Sequence, residues 1–93
     1  PGRIMTRPLT FAGTSLFVNA DVADRGWIKA AVLTRDSGPV DGYALNDAVP
    51  LTKNTTKGQM AWKTRDRLTP PGEDHLRIAF EMKNARLYSF WIE

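Results

Sequence analysis

The stretch "HLRIAFEMK", residues 75 to 83, most narrows what this chain can fold into. Leu76, Ile78, Phe80 and Met82 recur at every second position, His75, Arg77, Glu81 and Lys83 lie between them, and Ala79 alone is neutral to the pattern. Alternation of this kind marks a strand with one buried face and one wet face, because successive side chains leave a sheet on opposite sides. The same rule orders other runs. In "SLFVNAD" (15 to 21) Leu16, Val18 and Ala20 share a side. In "WIKAAVLT" (27 to 34) Ile28, Ala30 and Val32 oppose Trp27, Lys29, Ala31 and Leu33, so the second face is partly apolar. In "GQMAWK" (58 to 63) Met60 lies with Trp62. No segment carries a sustained helical stripe without Gly or Pro.

Between these runs stand clusters of turn formers: Ala12-Gly13-Thr14, "DRG" at 24 to 26, "DSGP" at 36 to 39, "DG" at 41 to 42, "KNTTKG" at 53 to 58 and "TPPGED" at 69 to 74. Gly supplies positive φ and Pro fixes φ negative, so each cluster is expected to interrupt an element. Short strands at such spacing predict an all-β, antiparallel β-sandwich of jelly-roll type. The expected strands cover about 4 to 11 (broken at Pro8), 15 to 22, 26 to 35, 40 to 46, 49 to 53, 58 to 63, 75 to 83 and 86 to 92, each boundary good to a few residues. Asn84-Ala85 reads as the two-residue turn of a closing hairpin, since Asn tolerates left-handed backbone geometry. Tyr88, Phe90 and Ile92 then face inward on the last strand, and Leu87 and Trp91 face out. The expected core is Leu16, Val18, Ile28, Val32, Leu76, Ile78, Phe80, Tyr88 and Phe90.

Ninety-three residues, 42% of them hydrophobic, suffice for one domain spanning 1 to 93. There is no apolar run near the length of a membrane-spanning helix, and no basic start followed by an apolar stretch. A start at Pro1-Gly2 reads as a processed product or an excised piece. The absence of cysteine excludes disulfides, thiolate metal sites and cysteine nucleophiles. The net charge of +3 is spread along the chain with acids interspersed and no two basic residues adjacent, which is the pattern of a mixed solvated surface and gives no nucleic-acid footprint.

Catalytic patterns are weak. His75 is the single histidine and has Glu73 and Asp74 beside it but no obvious nucleophile, while Ser15, Ser37 and Ser89 are scattered. Glu73/Asp74 and Asp21/Asp24 would serve as an acid and base pair only across a cleft, for which a domain of this size has little room. No phosphate-binding glycine loop, zinc-protease helix or EF-hand spacing occurs, and no cofactor is expected. Asp21, Asp24, Asp41 and Asp47 are oxygen donors near turns, but without the defined spacing of a calcium loop. "NTT" at 54 to 56 matches the acceptor for N-linked glycans in a eukaryotic secretory setting. The aromatics are more informative. Trp62 belongs with Met60 in the core, whereas Trp27 and Trp91 fall out of phase with the inward pattern. Trp27, Tyr43 and Trp91 are therefore the candidates for stacking on a sugar ring or on another domain.

The order of short motifs resembles the C-terminal β-sandwich module of bacterial glycoside hydrolases whose catalytic part is a β-propeller of the sucrase, arabinanase and sialidase type. The resemblance rests on Thr6-Arg7-Pro8; Gly13, Leu16 and Asn19; Gly26, Ile28 and Ala30; Asp36, Gly38, Val40, Gly42 and Tyr43; Trp62-Lys63; and Ala85, Leu87, Tyr88, Ser89 and Phe90. It spans nearly the whole chain. Departures are Ala30 and Met60 where that family usually has valine; neither a strand preceding the Thr-Arg-Pro segment nor the propeller is expected within these residues. The resemblance implies an accessory module with no catalytic residues of its own, secreted or periplasmic, that binds a poly- or oligosaccharide or packs on a catalytic propeller. Self-association as a homodimer is the other role open to outward aromatics.

Overall fold

The structure, a computed structural model, describes residues 2–7, 15–34, 36, 38, 40, 42–63 and 76–93. Expectations for His75, Asp41, Glu73, Asp74, Pro8, Gly13 and the loop at 69 to 74 lie outside the described residues. The fold is all-β and antiparallel, as the alternation predicts. Its strands are β1 (Gly2–Met5), β2 (Leu16–Leu33), β3 (Ala48–Val49), β4 (Thr55–Gln59), β5 (Ala61–Trp62) and β6 (Arg77–Ile92). Four form one sheet in the order β1-β6-β2-β4, and β3 pairs with β5 in a small second sheet.

Two expected boundaries are corrected by β2 and β6. The segments 15 to 22 and 26 to 35 form one strand of 18 residues, and 75 to 83 joins 86 to 92 in one of 16. Neither "DRG" nor Asn84-Ala85 makes a turn between strands; there is no closing hairpin at Asn84. Instead β2 and β6 pair along their whole length, from Leu16 opposite Ile92 to Leu33 opposite Arg77, and both irregular stretches meet at one place in the ladder. Val22 still pairs with Ala85 and Trp27 with Lys83, so residues 23 to 26 bulge against Asn84. Arg25 (φ 62°) and Asn84 (φ 48°) take left-handed geometry there. "DRG" and Asn84-Ala85, expected to interrupt an element, end neither strand, because a kink matched by one in the partner bends a ladder without ending it.

Bending is required by size. Eighteen residues of straight strand would run about 60 Å, while the longest dimension of the described structure is 38 Å. The bend brings the inward faces of both halves of the ribbon onto one core: Leu16, Val18, Ala20 and Val22 from the first half of β2, Ile28, Ala30 and Val32 from the second, Ile78, Phe80 and Met82 from β6, and Leu76 just before it. Ala31 and Ala79, paired across the outer face, are buried as well.

The far edge of β2 is satisfied in pieces. Ile28 exchanges backbone hydrogen bonds with Leu51, Val32 donates to the Tyr43 carbonyl and accepts from Val40. Between these, the Ala30 carbonyl accepts the buried indole N–H of Trp62 at 2.9 Å. The expected strand at 40 to 46 is thus a turn held to Val32, followed by a 3-10 turn at Leu45–Asp47. Gly42 (φ 84°) allows the reversal. It delivers Tyr43 into the core, edge-on to Trp62 with centroids 5.0 Å apart.

A second bulge corrects the last strand. Asn19 pairs with Ser89 and Ala20 with Leu87, so Tyr88 is an extra residue in β6. Inward positions therefore run 82, then 85 and 87, then 90 and 92, switching parity twice. Leu87, expected to face out, packs against the core, and Tyr88, expected inside, is 56% exposed. Its hydroxyl donates to Asp21 Oδ2 at 2.8 Å. Phe90 and Ile92 keep their expected side, Phe90 tilting against Phe80 at 5.2 Å.

Candidate functional site

The three aromatic candidates end up in three different places. Tyr43 is fully buried and lacks any ring face for a ligand. Trp27 lies half-buried on the outer face of the second half of β2, opposite Lys83, with Lys29 Nζ 4.9 Å over its ring. Trp91 lies half-buried on the outer face of the other half of the ribbon. Trp27 and the Phe17 opposite Trp91 are ten residues apart on β2, roughly 33 Å of extended strand before bending, and the bulge at 23 to 26 intervenes. The two tryptophans do not share a platform.

What Trp91 shares is a stack with Phe17. The two are cross-strand partners in β6 and β2, with ring centroids 5.9 Å apart and planes within 23° of parallel. Phe17 occupies the odd, outward phase of "SLFVNAD", between inward Leu16 and Val18. Its phase was legible, but the register that sets it against Trp91 depends on the bulge at Tyr88 and was not.

The surroundings of the pair are polar and mostly neutral. Asn19 and Ser89, the next outward pair along the ladder, lie on one side, and Gln59 of β4 is the cross-strand partner of Phe17 on the other. Lys57 Nζ sits 4.9 Å over the Phe17 ring and 3.2 Å from Glu93 Oε2. Among the described residues no cation lies over Trp91. The face is an aromatic patch with amide and hydroxyl groups at its rim and one internally neutralised charge pair.

A second feature lies at the bend, where a depression of about 340 Å³ is lined by Asp21, Ala23, Asn84, Ala85 and Arg86. Asp21 faces Arg86 across the ladder and holds the Tyr88 hydroxyl. Among the described residues no three His, Asp or Glu side chains converge to hold a metal ion: Asp21 belongs to the bend, Asp24 to the bulge and Asp47 to the 3-10 turn. Asn54, the glycan-acceptor candidate, uses its amide oxygen to accept the Val22 N–H at 2.6 Å, so it closes the ladder where β4 leaves β2.

No protein-family model, curated protein or solved structure matches the chain.

Proposed function

We propose that the chain is a non-catalytic carbohydrate-binding module, and that the Phe17–Trp91 pair is its platform. The observation that carries this reading is the stack itself: two parallel aromatic rings on the outer face of a sheet, bordered by Asn19, Ser89 and Gln59. Apolar C–H faces of a sugar ring pack on such a surface while its hydroxyls meet the amides and hydroxyl at the rim. Trp27 is the weaker platform, because it stands without an aromatic neighbour among Lys29, Lys83 and Glu81. The resemblance to modules of propeller-type glycoside hydrolases supplies the context, a secreted or periplasmic accessory domain.

Titration with a panel of soluble and insoluble polysaccharides tests the reading. Tryptophan fluorescence shifts and gel retardation are expected with at least one glycan, abolished in Trp91→Ala and Phe17→Ala and retained in Trp27→Ala. Unchanged fluorescence and mobility across the panel overturns it.

A second reading, a domain that packs on a catalytic propeller, is favoured by β1, where Ile4 and Met5 are 45% and 44% exposed. Its test is co-purification with a propeller encoded beside it, lost in Ile4→Ser.

A further inference from the structure

The sheet treats the two halves of β6 differently. Residues 79 to 82 pair with β1 on the side away from β2, while 85 to 92 have no strand on that side among the described residues. Backbone alternation shows which groups are left there. Ser15 and Glu93 exchange both N–H···O bonds, at 2.9 Å each. In an antiparallel ladder Trp91, opposite Phe17, therefore also turns its backbone toward β2, and Phe90 and Ile92 turn their N–H and C=O groups to the open side. Such an edge is a template for another strand, and proteins blunt it with charge, proline or a bulge. The β4 edge has Lys57 and a register shift. From Leu87 to Ile92 the β6 edge carries neither charge nor proline, and its bulge at Tyr88 precedes the outward groups.

We propose that this edge pairs with the same edge of a second copy of the chain, about a two-fold axis through Trp91. Antiparallel pairing about that point sets Phe90 of each copy opposite Ile92 of the other, so that every outward donor meets an outward acceptor. The spacing of the two outward residues is thus its own complement, as an isologous interface requires. An axis through Phe90 would pair Phe90 with itself but set Ile92 against the bulged Tyr88, where the alternation fails. Trp91 then meets the partner's Trp91 at a non-hydrogen-bonded position, the closest approach for facing side chains. The Phe17–Trp91 stack continues across the axis into the partner's pair. This interface stands on the backbone edge and needs no sugar, although Trp91 belongs to both surfaces.

Sedimentation equilibrium of the full chain, without glycan, tests it. A concentration-dependent dimer is expected. Ile92→Pro removes an N–H that points away from β2, a place where sheet edges tolerate proline, and Trp91→Lys sets like charges face to face across the axis. Both should sediment as folded monomers with the circular dichroism of the parent, while Trp27→Lys remains dimeric. If Ile92→Pro fails to fold, Trp91→Lys decides. A parent that stays monomeric at the highest concentration, or a dimer that survives the Trp91→Lys change, overturns the proposal; so does an edge that takes up a foreign extended peptide while the parent remains monomeric.

Discussion

Gly26 lies pressed against Asn84: a Cβ on Gly26 would stand 2.5 Å from the Asn84 carbonyl oxygen, 2.7 Å from that of Lys83 and 2.9 Å from that of Ala23. All three are backbone atoms, which move only if the bend itself opens. Gly26→Ala is therefore expected to destabilise by about 3 kcal/mol, the upper range for forcing extra volume into a packed site. Denaturant melts check this. A loss below about 1 kcal/mol would mean that the two long strands bend with slack to spare.

Asn84 tests the same bend from the other strand. Its φ of 48° costs a β-branched residue far more than Asn, and Gly nothing. Asn84→Val is expected to lose about 1–2 kcal/mol and Asn84→Gly to stay within about 0.5 kcal/mol of the parent. Equal losses in both would assign the effect to the Asn side chain and not to its backbone.

These two residues also mark where sequence reading stops. Period two located the inward faces of Leu16 to Ala20, of Ile28 to Val32 and of Leu76 to Met82, because alternation is uninterrupted within each stretch. Asn84 and "DRG" were legible as irregular backbone. What no local pattern shows is that they lie opposite each other, which turns two expected turns into one bend. Tyr88 is harder still: "ARLYSFWI" alternates plausibly in either phase, and only the partner register of Asn19 and Ala20 shows that Tyr88 is extra. The candidate site inherits this limit, since Trp91 was readable as outward but its neighbour Phe17 follows from the bulge.

Trp62 joins packing to hydrogen bonding. Its ring meets Tyr43 edge-on and its N–H satisfies the Ala30 carbonyl in the core. Trp62→Phe keeps much of the volume but leaves that carbonyl without its donor, and should cost about 2–3 kcal/mol from the lost bond and the remaining void. Thermal or denaturant unfolding measures it. A near-neutral result would show that water reaches the carbonyl.

Phe17 and Trp91 should be coupled. In a double-mutant cycle on stability, Phe17→Ala and Trp91→Ala are expected to show an interaction of about 0.5–1 kcal/mol, as for aromatic cross-strand pairs. Phe17→Ala with Trp27→Ala should be additive, because the bend separates them. Coupling of the second pair and not the first would place the aromatics on a different register.

Asn54 is expected to act on one backbone group at a distance in sequence. The β2–β4 ladder ends at Ala20 opposite Thr55, and beyond it the Val22 N–H is left to the Asn54 side chain, 32 positions away. Asn54→Ala should cost about 1 kcal/mol, the net worth of a hydrogen bond at a partly buried site. Asn54→Asp keeps the acceptor and should recover most of that loss. The local readout is hydrogen exchange: the Val22 amide is expected to lose protection in the Ala variant while the Phe80 and Ala30 amides do not. Uniform loss of protection across the core would instead make Asn54 a determinant of global packing, with the bond to Val22 incidental.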